Sequence, residues 1–234
     1  MEDSSLTLKE GIKDGSPIFI GYFTTALAFG LLTRTSGLRF VEGLLISVIN
    51  YSGSGQFLMM NLYNGGAMLL EIGISVLFIN SRYMFMSTSL LGRLDDQNSI
   101  PLKLICGFGT TDEVFSVASF KGKKLNIRYM SGLVFTSYLG WVSGTAFGYV
   151  AGTFLPEVIQ KASVITVYAM FASLLGSETR SHVKALAVFS LSAALNAIMI
   201  LGFSMSVGIS FIISMIAATV LGAVIYTDEE AGLV

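Results

Sequence analysis

ALAVFSLSAALNAIMILGFSMSVGISFIISMIAATVLGAVIYT occupies residues 185–227 and contains no Asp, Glu, Lys or Arg. These 43 uncharged positions decide the solvent in which the chain folds. About 20 apolar residues of helix cross the ~30 Å hydrocarbon core of a bilayer. The run is about twice one crossing, and Gly202-Phe203-Ser204-Met205-Ser206-Val207-Gly208 reads as the tight turn between two transmembrane helices. The chain is therefore read as a membrane protein. In lipid a polar group at depth is costly unless it is partnered, so each one is a functional candidate.

The whole composition agrees. Hydrophobic residues make up 53% and charged residues 12%, about half the charged share of a soluble domain. The chain has 25 Gly, 11 Met and 17 Phe, the small and soft side chains that helix packing in lipid favours. A net charge of −1 gives no sign of nucleic-acid binding. The single cysteine, Cys106, leaves no internal disulfide. Residues 1–16 mix Glu2, Asp3, Lys9, Glu10, Lys13 and Asp14 and lack the pattern of a signal peptide. The first helix is expected to act as an uncleaved insertion signal. The expected organisation is a cytoplasmic segment 1–16, one transmembrane domain 17–226 and an acidic tail 227–234. That leaves no room for a soluble enzyme domain, and neither enzymatic activity nor a cofactor is expected.

Charges punctuate the spans. Residues 17–33 read as helix one, opening at Pro17, a residue suited to a first helical turn. Residues 43–70 hold helix two and, after Asn64-Gly65-Gly66, the start of helix three, which runs to about residue 91. Arg93-Leu94-Asp95-Asp96-Gln97-Asn98-Ser99 is an aqueous loop. Residues 103–120 form helix four, interrupted by Asp112 and Glu113, and Lys121-Gly122-Lys123-Lys124 is a basic loop. Residues 129–156 give helix five, 162–177 helix six, and 184–203 and 207–226 the last two. The fold expected is an all-α polytopic transmembrane bundle of eight crossings, or of seven if 103–120 is re-entrant. With eight, Lys9, Lys13, Lys121, Lys123, Lys124, Arg128, Arg180 and Lys184 share one side, against Arg34, Arg39, Arg93, Lys103 and Lys161. Eight against five places both termini in the cytoplasm of a multi-pass cell-membrane protein.

The chain also repeats itself. Ala28-Phe29-Gly30 recurs as Ala146-Phe147-Gly148, and Ser47-Val48-Ile49-Asn50 as Ser163-Val164-Ile165-Thr166. Asn80 maps onto Asn196, and Thr111-Asp112-Glu113 onto Thr227-Asp228-Glu229, all at offsets of 116 to 118. The order predicts a duplication joining residues 17–113 to 133–229. Duplicated helical domains are common among transporters, with the substrate site near mid-membrane at the repeat interface. Four crossings per repeat would make the copies parallel, and an odd number would invert them.

Three polar clusters sit at depth. Asn50-Tyr51-Ser52-Gly53-Ser54-Gly55-Gln56-Phe57 weakens its helix, since Gly costs about 1 kcal/mol against Ala. Broken transporter helices use the freed N–H and C=O groups to hold substrate carboxylate and amine. Tyr51, Ser52, Gly53, Ser54, Gly55 and Gln56 are thus substrate-binding candidates, with close helix packing on a small-residue face as the alternative. Asn80-Ser81-Arg82 is the second cluster. Asn80 and its repeat mate Asn196 read as inward hydrogen-bonding groups for substrate. Arg82 lies roughly 22 Å along helix three. It either anchors at the interface or pairs with Asp112, Glu113 or a substrate carboxylate. Thr110-Thr111-Asp112-Glu113 is the third. Thr111, Asp112 and Glu113 are coupling or gating candidates with Arg82, because a carboxyl at depth can carry a proton. Adjacent residues do not share a helix face, so the two carboxylates should point to different partners. If 103–120 does not span, the pair sits in water.

Other residues carry less. His182 has no companion ligands, so no metal site is expected. Trp141 beside Gly140 and Gly144 reads as packing or a cavity wall, and Glu71 as interfacial. There is no His-Glu-x-x-His pattern and no phosphate-cradling glycine loop. Ser54 has only the distant His182 as a base, which argues against hydrolysis.

At these residues the chain resembles the AzlC family, the large subunit of branched-chain amino-acid exporters. The likeness rests on Gly15-Ser16-Pro17, on Tyr51-Ser52-Gly53-Ser54-Gly55-Gln56-Phe57, on Asn80-x-Arg82, on Thr111-Asp112-Glu113 and on Trp141-x-x-Gly144. It covers residues 11 to 226. The family commonly has Ala where Ser52 and Ser54 stand, and Arg-His where Arg82-Tyr83 stands, so this chain gains two hydroxyls and loses an imidazole. The resemblance implies a secondary transporter exporting branched-chain amino acids such as leucine, isoleucine and valine, driven by the proton motive force. It also implies a small AzlD-type membrane partner subunit. Apolar space from Phe57, Met59, Met60 and Phe85 would suit such substrates. A channel for a small solute or ion, and an assembly subunit with no pathway of its own, are the competing readings. In the second copy Asn196 is kept while Ile198 replaces Arg82, so the charged chemistry is concentrated in the first copy.

Overall fold

The computed structural model describes residues 6–94, 100–121, 125–154 and 183–230. Helix six (162–177) and His182 lie outside the described residues, as does the second copy of Ser47-Val48-Ile49-Asn50. The described residues are helical, with no strand beyond an isolated bridge between Leu94 and Leu125. In chain order the helices are α1 Leu8–Thr35, α2 Phe40–Ile49, α3 Gly53–Asn64, α4 Leu69–Leu91, α5 Ile100–Phe108, α6 Asp112–Ser119, α7 Ile127–Ala151, α8 Val183–Phe203 and α9 Val207–Glu230. Within these, Leu8–Thr35, Leu69–Leu91, Leu186–Phe203 and Val207–Ile225 are long and apolar enough to cross a membrane. The chain divides into two compact units, residues 1–57 with 79–164 and residues 58–78 with 165–234.

In the first unit, α1 starts well before the expected Pro17. Thr7 caps it: its hydroxyl accepts from Glu10 N at 3.3 Å, and the Glu10 carboxylate accepts from Thr7 N at 3.2 Å. Pro17 therefore stands inside the helix. It cannot donate to the Lys13 carbonyl, and Ser16 Oγ takes that acceptor at 2.7 Å. A neighbouring hydroxyl thus covers the bond that proline removes. At the other end Gly37 adopts φ +82°, and Leu38 N reaches back to Thr33 O at 3.1 Å, closing the helix. Below the start of the span, Lys121 Nζ meets Asp14 Oδ2 at 2.8 Å. The Asp14 carboxylate holds the Lys121 ammonium above its ordinary value.

α1 packs along α7 through glycines. The contacts climb both helices together: Gly11 on Tyr129, Gly140 on Phe19, Gly144 on Phe23 and Gly148 on Leu27. The two helices therefore run parallel. A Cβ on Gly30 would lie 2.1 Å from the Thr145 carbonyl oxygen, and one on Gly148 2.1 Å from that of Leu27. Such separations need backbone against backbone, the small-residue contact that packs helices in lipid. Parallel α1 and α7 need an odd number of crossings between them, which the eight-crossing count supplies.

Two expected helices are each split in two. Helix two breaks at residues 50–52 into α2 and α3. The break falls earlier than the glycines. Gly53 and Gly55 open α3 instead, because added Cβ atoms there would meet the Trp141 ring at 2.9 Å and Asn80 Oδ1 at 2.7 Å. Helix four breaks at residues 109–111 into α5 and α6, not into a continuous span. A Cβ on Gly109 would sit 2.0 Å from Val134 Cγ1. Thr110 Oγ1 returns to Cys106 O at 2.9 Å and finishes α5, while Thr111 caps α6. α7 ends at Ala151, five residues short of the expected 156.

In the second unit, α3 ends at Asn64, and the φ of +75° at Gly66 suits the Asn64-Gly65-Gly66 turn. α8 and α9 form an antiparallel hairpin: Asn196 meets Ser214, and a Cβ on Gly222 would lie 2.6 Å from Val188 Cγ2. The turn holds Ser204 at φ +51°. Gly208, Ser210, Ser214, Ala218 and Gly222 form the buried face of α9. α9 continues to Glu230, so Asp228, Glu229 and Glu230 extend a helix rather than start a separate tail. Leu201 and Phe203 of α8 are among the most exposed apolar side chains, as expected where lipid is the solvent.

Candidate functional site

The two helix breaks of the first unit share a network of polar side chains. Ser52 stands at its centre. As the cap of α3 its Oγ accepts from Gly55 N at 3.1 Å, and it donates to Asn80 Oδ1 at 2.6 Å. Asn80 Nδ2 in turn donates to Asn50 Oδ1 at 2.9 Å. One asparagine from α4 thereby fixes both ends of the first break.

Gln56, one turn into α3, is fully buried. Its Oε1 accepts from Trp141 Nε1 at 3.0 Å and from Ser47 Oγ at 3.4 Å, and its Nε2 donates to Asn50 O. Ser47 also bonds Thr145 Oγ1 at 2.7 Å. Gln56 thus ties α2, α3 and α7 around the break, a geometric role that a small-residue packing face would not need.

Arg82 joins the two breaks. Its guanidinium lies 2.9 Å from Ser54 Oγ in the first turn of α3 and 2.9 Å from Asp112 Oδ2 in the first turn of α6. The Arg82 and Asp112 side chains are 46% and 44% exposed, so this pair is reachable from outside the protein. Tyr83 accepts from Arg82 at 3.1 Å and donates to Asp112 at 3.4 Å. Glu113 points elsewhere, accepting from the Tyr22 hydroxyl, whose oxygen also lies 2.6 Å from Thr111 Oγ1. The neighbouring carboxylates do face different partners. Thr111 caps α6 by accepting from Val114 N at 3.5 Å.

An aromatic wall closes the cluster. Tyr51 is edge-on to Tyr22 at 6.0 Å and to Tyr138 at 5.1 Å, and Phe108 lies 6.4 Å away. Tyr22 stands edge-on to Trp141 at 5.4 Å. Two polar atoms here lack partners: the Tyr51 hydroxyl and Asn50 Nδ2 are buried without a hydrogen bond. Buried donors in proteins are almost always satisfied, so these two mark an incomplete network. The starts of α3 and α6 add N–H groups without intrahelical acceptors and partial positive charge.

The first unit thus brings together Tyr51, Ser52, Gly53, Ser54, Gly55, Gln56, Asn80, Arg82, Thr111, Asp112 and Glu113. Asn196 belongs to the second unit, where its Nδ2 donates to Ser214 Oγ at 3.4 Å. Sequence reasoning passed over Tyr22, Ser47, Tyr83 and Thr145. Their signal was a run of hydroxyl-bearing residues on otherwise apolar helices, too common to single out. Glu71, at the start of α4, is buried in the second unit against Ser206 of the turn before α9. Among the described residues no group of acids, histidines or cysteines could hold a metal.

A helical polytopic membrane protein with a polar centre at paired helix breaks is the class that fold and site define. The AzlC protein family model matches residues 17–155, and the chain belongs to that family. It is 34% identical over 184 residues to an uncharacterized membrane protein of Archaeoglobus fulgidus, covering 77% of this chain and 80% of that protein. It is 32% identical over 178 residues to the inner membrane protein YgaZ of Escherichia coli, covering 73% of each. It is also 26% identical over 142 residues to the branched-chain amino acid transport protein AzlC of Bacillus subtilis, covering 59% of this chain and 55% of that protein. No solved structure matches the chain. The family and the apolar helices make this a multi-pass membrane protein related to transporters.

Proposed function

We propose that the chain is a secondary transporter that exports branched-chain amino acids such as leucine, isoleucine and valine across the cell membrane, driven by the proton motive force. The observation that carries this reading is the pair of buried, unpartnered donors, Tyr51 Oη and Asn50 Nδ2, in the same network as the half-exposed Arg82–Asp112 pair. A zwitterion supplies what that network lacks. Its carboxylate accepts from the free donors, the start of α3 and Arg82. Its ammonium goes to Asp112, and its apolar side chain to the wall of Tyr51, Phe108 and Tyr138. Arg82–Asp112 and Tyr22–Glu113 then act as gates that open and reclose across the breaks. Support for the substrate comes from the Bacillus subtilis relative's name.

Asn196 is proposed as a second polar position on the pathway, and a small AzlD-type subunit as the partner. Both termini are assigned to the cytoplasm. The duplication of 17–113 in 133–229 is supported by the α1–α7 seam: Gly30 packs on Thr145 while Gly148 packs on Leu27, and both pairings relate at the offset of 118. The test is counterflow of radiolabelled leucine in proteoliposomes, with and without a pH gradient and with the small subunit co-reconstituted. The expected result is saturable exchange, accelerated by the gradient. No leucine flux even with the partner present would sink the reading.

A further inference from the structure

α1 has 28 residues, but its uncharged part begins only at Pro17. A helix of that length measures about 42 Å, against a hydrocarbon core of ~30 Å. Residues 8–16 therefore stand in the headgroup layer. Here Gly11 and Gly15 turn inward to α7, while Lys9, Ile12, Lys13, Ser16 and Ile20 are exposed on the opposite side. Along that outer face two lysines one turn apart come first and apolar Ile20 last. A phospholipid presents its groups in the same order, phosphate and then acyl chain.

The start of α7 lies at the same end. A Cβ on Gly132 would lie 2.5 Å from the Leu8 carbonyl oxygen, and Arg128, exposed, sits in the first turn of α7. Lys9 occupies the corresponding turn of α1. Both cations stand where the positive end of a helix dipole disfavours them, and two parallel helices add their fields there. Correct insertion requires only that cations stay on this side of the membrane. It does not require them in first helical turns, positions that suit an anion.

The neighbouring acids have other partners. The Glu10 carboxylate accepts from Thr7 N at 3.2 Å. Asp14 Oδ2 meets Lys121 Nζ and the Tyr129 hydroxyl, each at 2.8 Å. Lys13 acts on Asp14 only through space. Among the described residues neither acid forms an ion pair with Lys9, Lys13 or Arg128, so this end of the α1–α7 pair keeps an excess of positive charge.

We propose that the outer face of α1 seats one anionic phospholipid. Its phosphate bridges the ammonium groups of Lys9 and Lys13, whose Cβ atoms are about 6 Å apart at this spacing. Its acyl chains lie along Ile12 and Ile20, and Arg128 strengthens the field that draws it in. The site is independent of what the chain transports.

Native mass spectrometry of the intact chain, released from non-ionic detergent, tests this by titration with phosphatidylglycerol or phosphatidylcholine. Phosphatidylglycerol should bind more tightly, and Lys9→Gln/Lys13→Gln should weaken it by about fivefold or more, the weight of one cation at an anionic surface. Phosphatidylcholine binding should not change. Arg39→Gln, the same charge change beyond the opposite end of α1, should keep the wild-type preference. Without added lipid the double variant should melt no lower than the wild type, because two cations leave a positive helix start; with phosphatidylglycerol only the wild type should gain stability. Equal affinity of the wild type for the two lipids overturns the proposal, as does unchanged phosphatidylglycerol binding in the double variant. An equal loss in Arg39→Gln overturns it in favour of unspecific attraction. Displacement of phosphatidylglycerol by millimolar inorganic phosphate overturns it in favour of a soluble-phosphate site.

Discussion

Replacing Gln56 with Leu isolates the bond that holds the first helix break to α7. Three contacts disappear, but only one leaves an orphan. Ser47 keeps Thr145 as partner at 2.7 Å. The Asn50 carbonyl keeps Ser52 N at 2.8 Å. The Trp141 indole N–H, buried on a ring only 3% exposed, has Gln56 Oε1 as its acceptor. Leaving one buried donor unsatisfied costs about 1–3 kcal/mol, and the similar volume of Leu adds little cavity. Gln56→Leu should therefore lower stability by about 2 kcal/mol. Trp141→Phe removes the orphan with its partner, so Gln56→Leu should cost much less in that background. The coupling should be about 1–2 kcal/mol. The chain has one tryptophan, so its fluorescence reports this contact without background. Denaturant unfolding in detergent micelles gives the energies, and a blue-shifted emission in Gln56→Leu reports the lost hydrogen bond. Additive single-variant costs, with no change of emission, would refute the assignment of Gln56 to Trp141.

Other outcomes follow from the same geometry. Gly30→Ala should cost about 1–3 kcal/mol or more by overpacking α1 on α7, whereas Gly21→Ala, where a Cβ meets nothing within 4 Å, should be neutral; thermal melts in detergent compare them. Gly109→Ala should destabilise through its clash with Val134 Cγ1, and Val134→Ala should restore most of the loss in the same melts. Asp112→Asn should change stability by under about 1 kcal/mol, because an exposed pair contributes little. The same variant should slow leucine exchange about tenfold or more, the scale of one charged hydrogen bond to substrate. Exchange at the wild-type rate would remove Asp112 from the site.

What was legible in the sequence was whatever lipid punishes. The silent stretch 185–227 marked α8, the start of α9 and their turn nearly to the residue, because glycines mark the bend, whereas α9 runs on through Asp228, Glu229 and Glu230. The polar letters at 50–56, 80–82 and 111–113 stood out against apolar neighbours, and the first unit gathers all of them. The side-chain partners were not legible. That Arg82 chooses Asp112 and Glu113 chooses Tyr22 depends on the angle at which α6 leaves its cap, a tertiary property. Pro17 misled because its usual position at a first turn is a preference, and Thr7 with Glu10 out-competes it.

The glycine seam between α1 and α7 bears on how the protein is made. α1 leaves the ribosome with 91 residues still to come before the first residue of α7. At 5–20 residues per second that is roughly 5 to 20 s. Through that interval Gly11, Gly15 and Gly30 face lipid or the insertion machinery with nothing seated on them. α1 must therefore persist in the bilayer without α7, and the seam zips only when its distant partner arrives. The Thr7 cap and the Ser16 bond that bridges Pro17 are thus needed early in the life of the chain, before the α7 seam can hold α1.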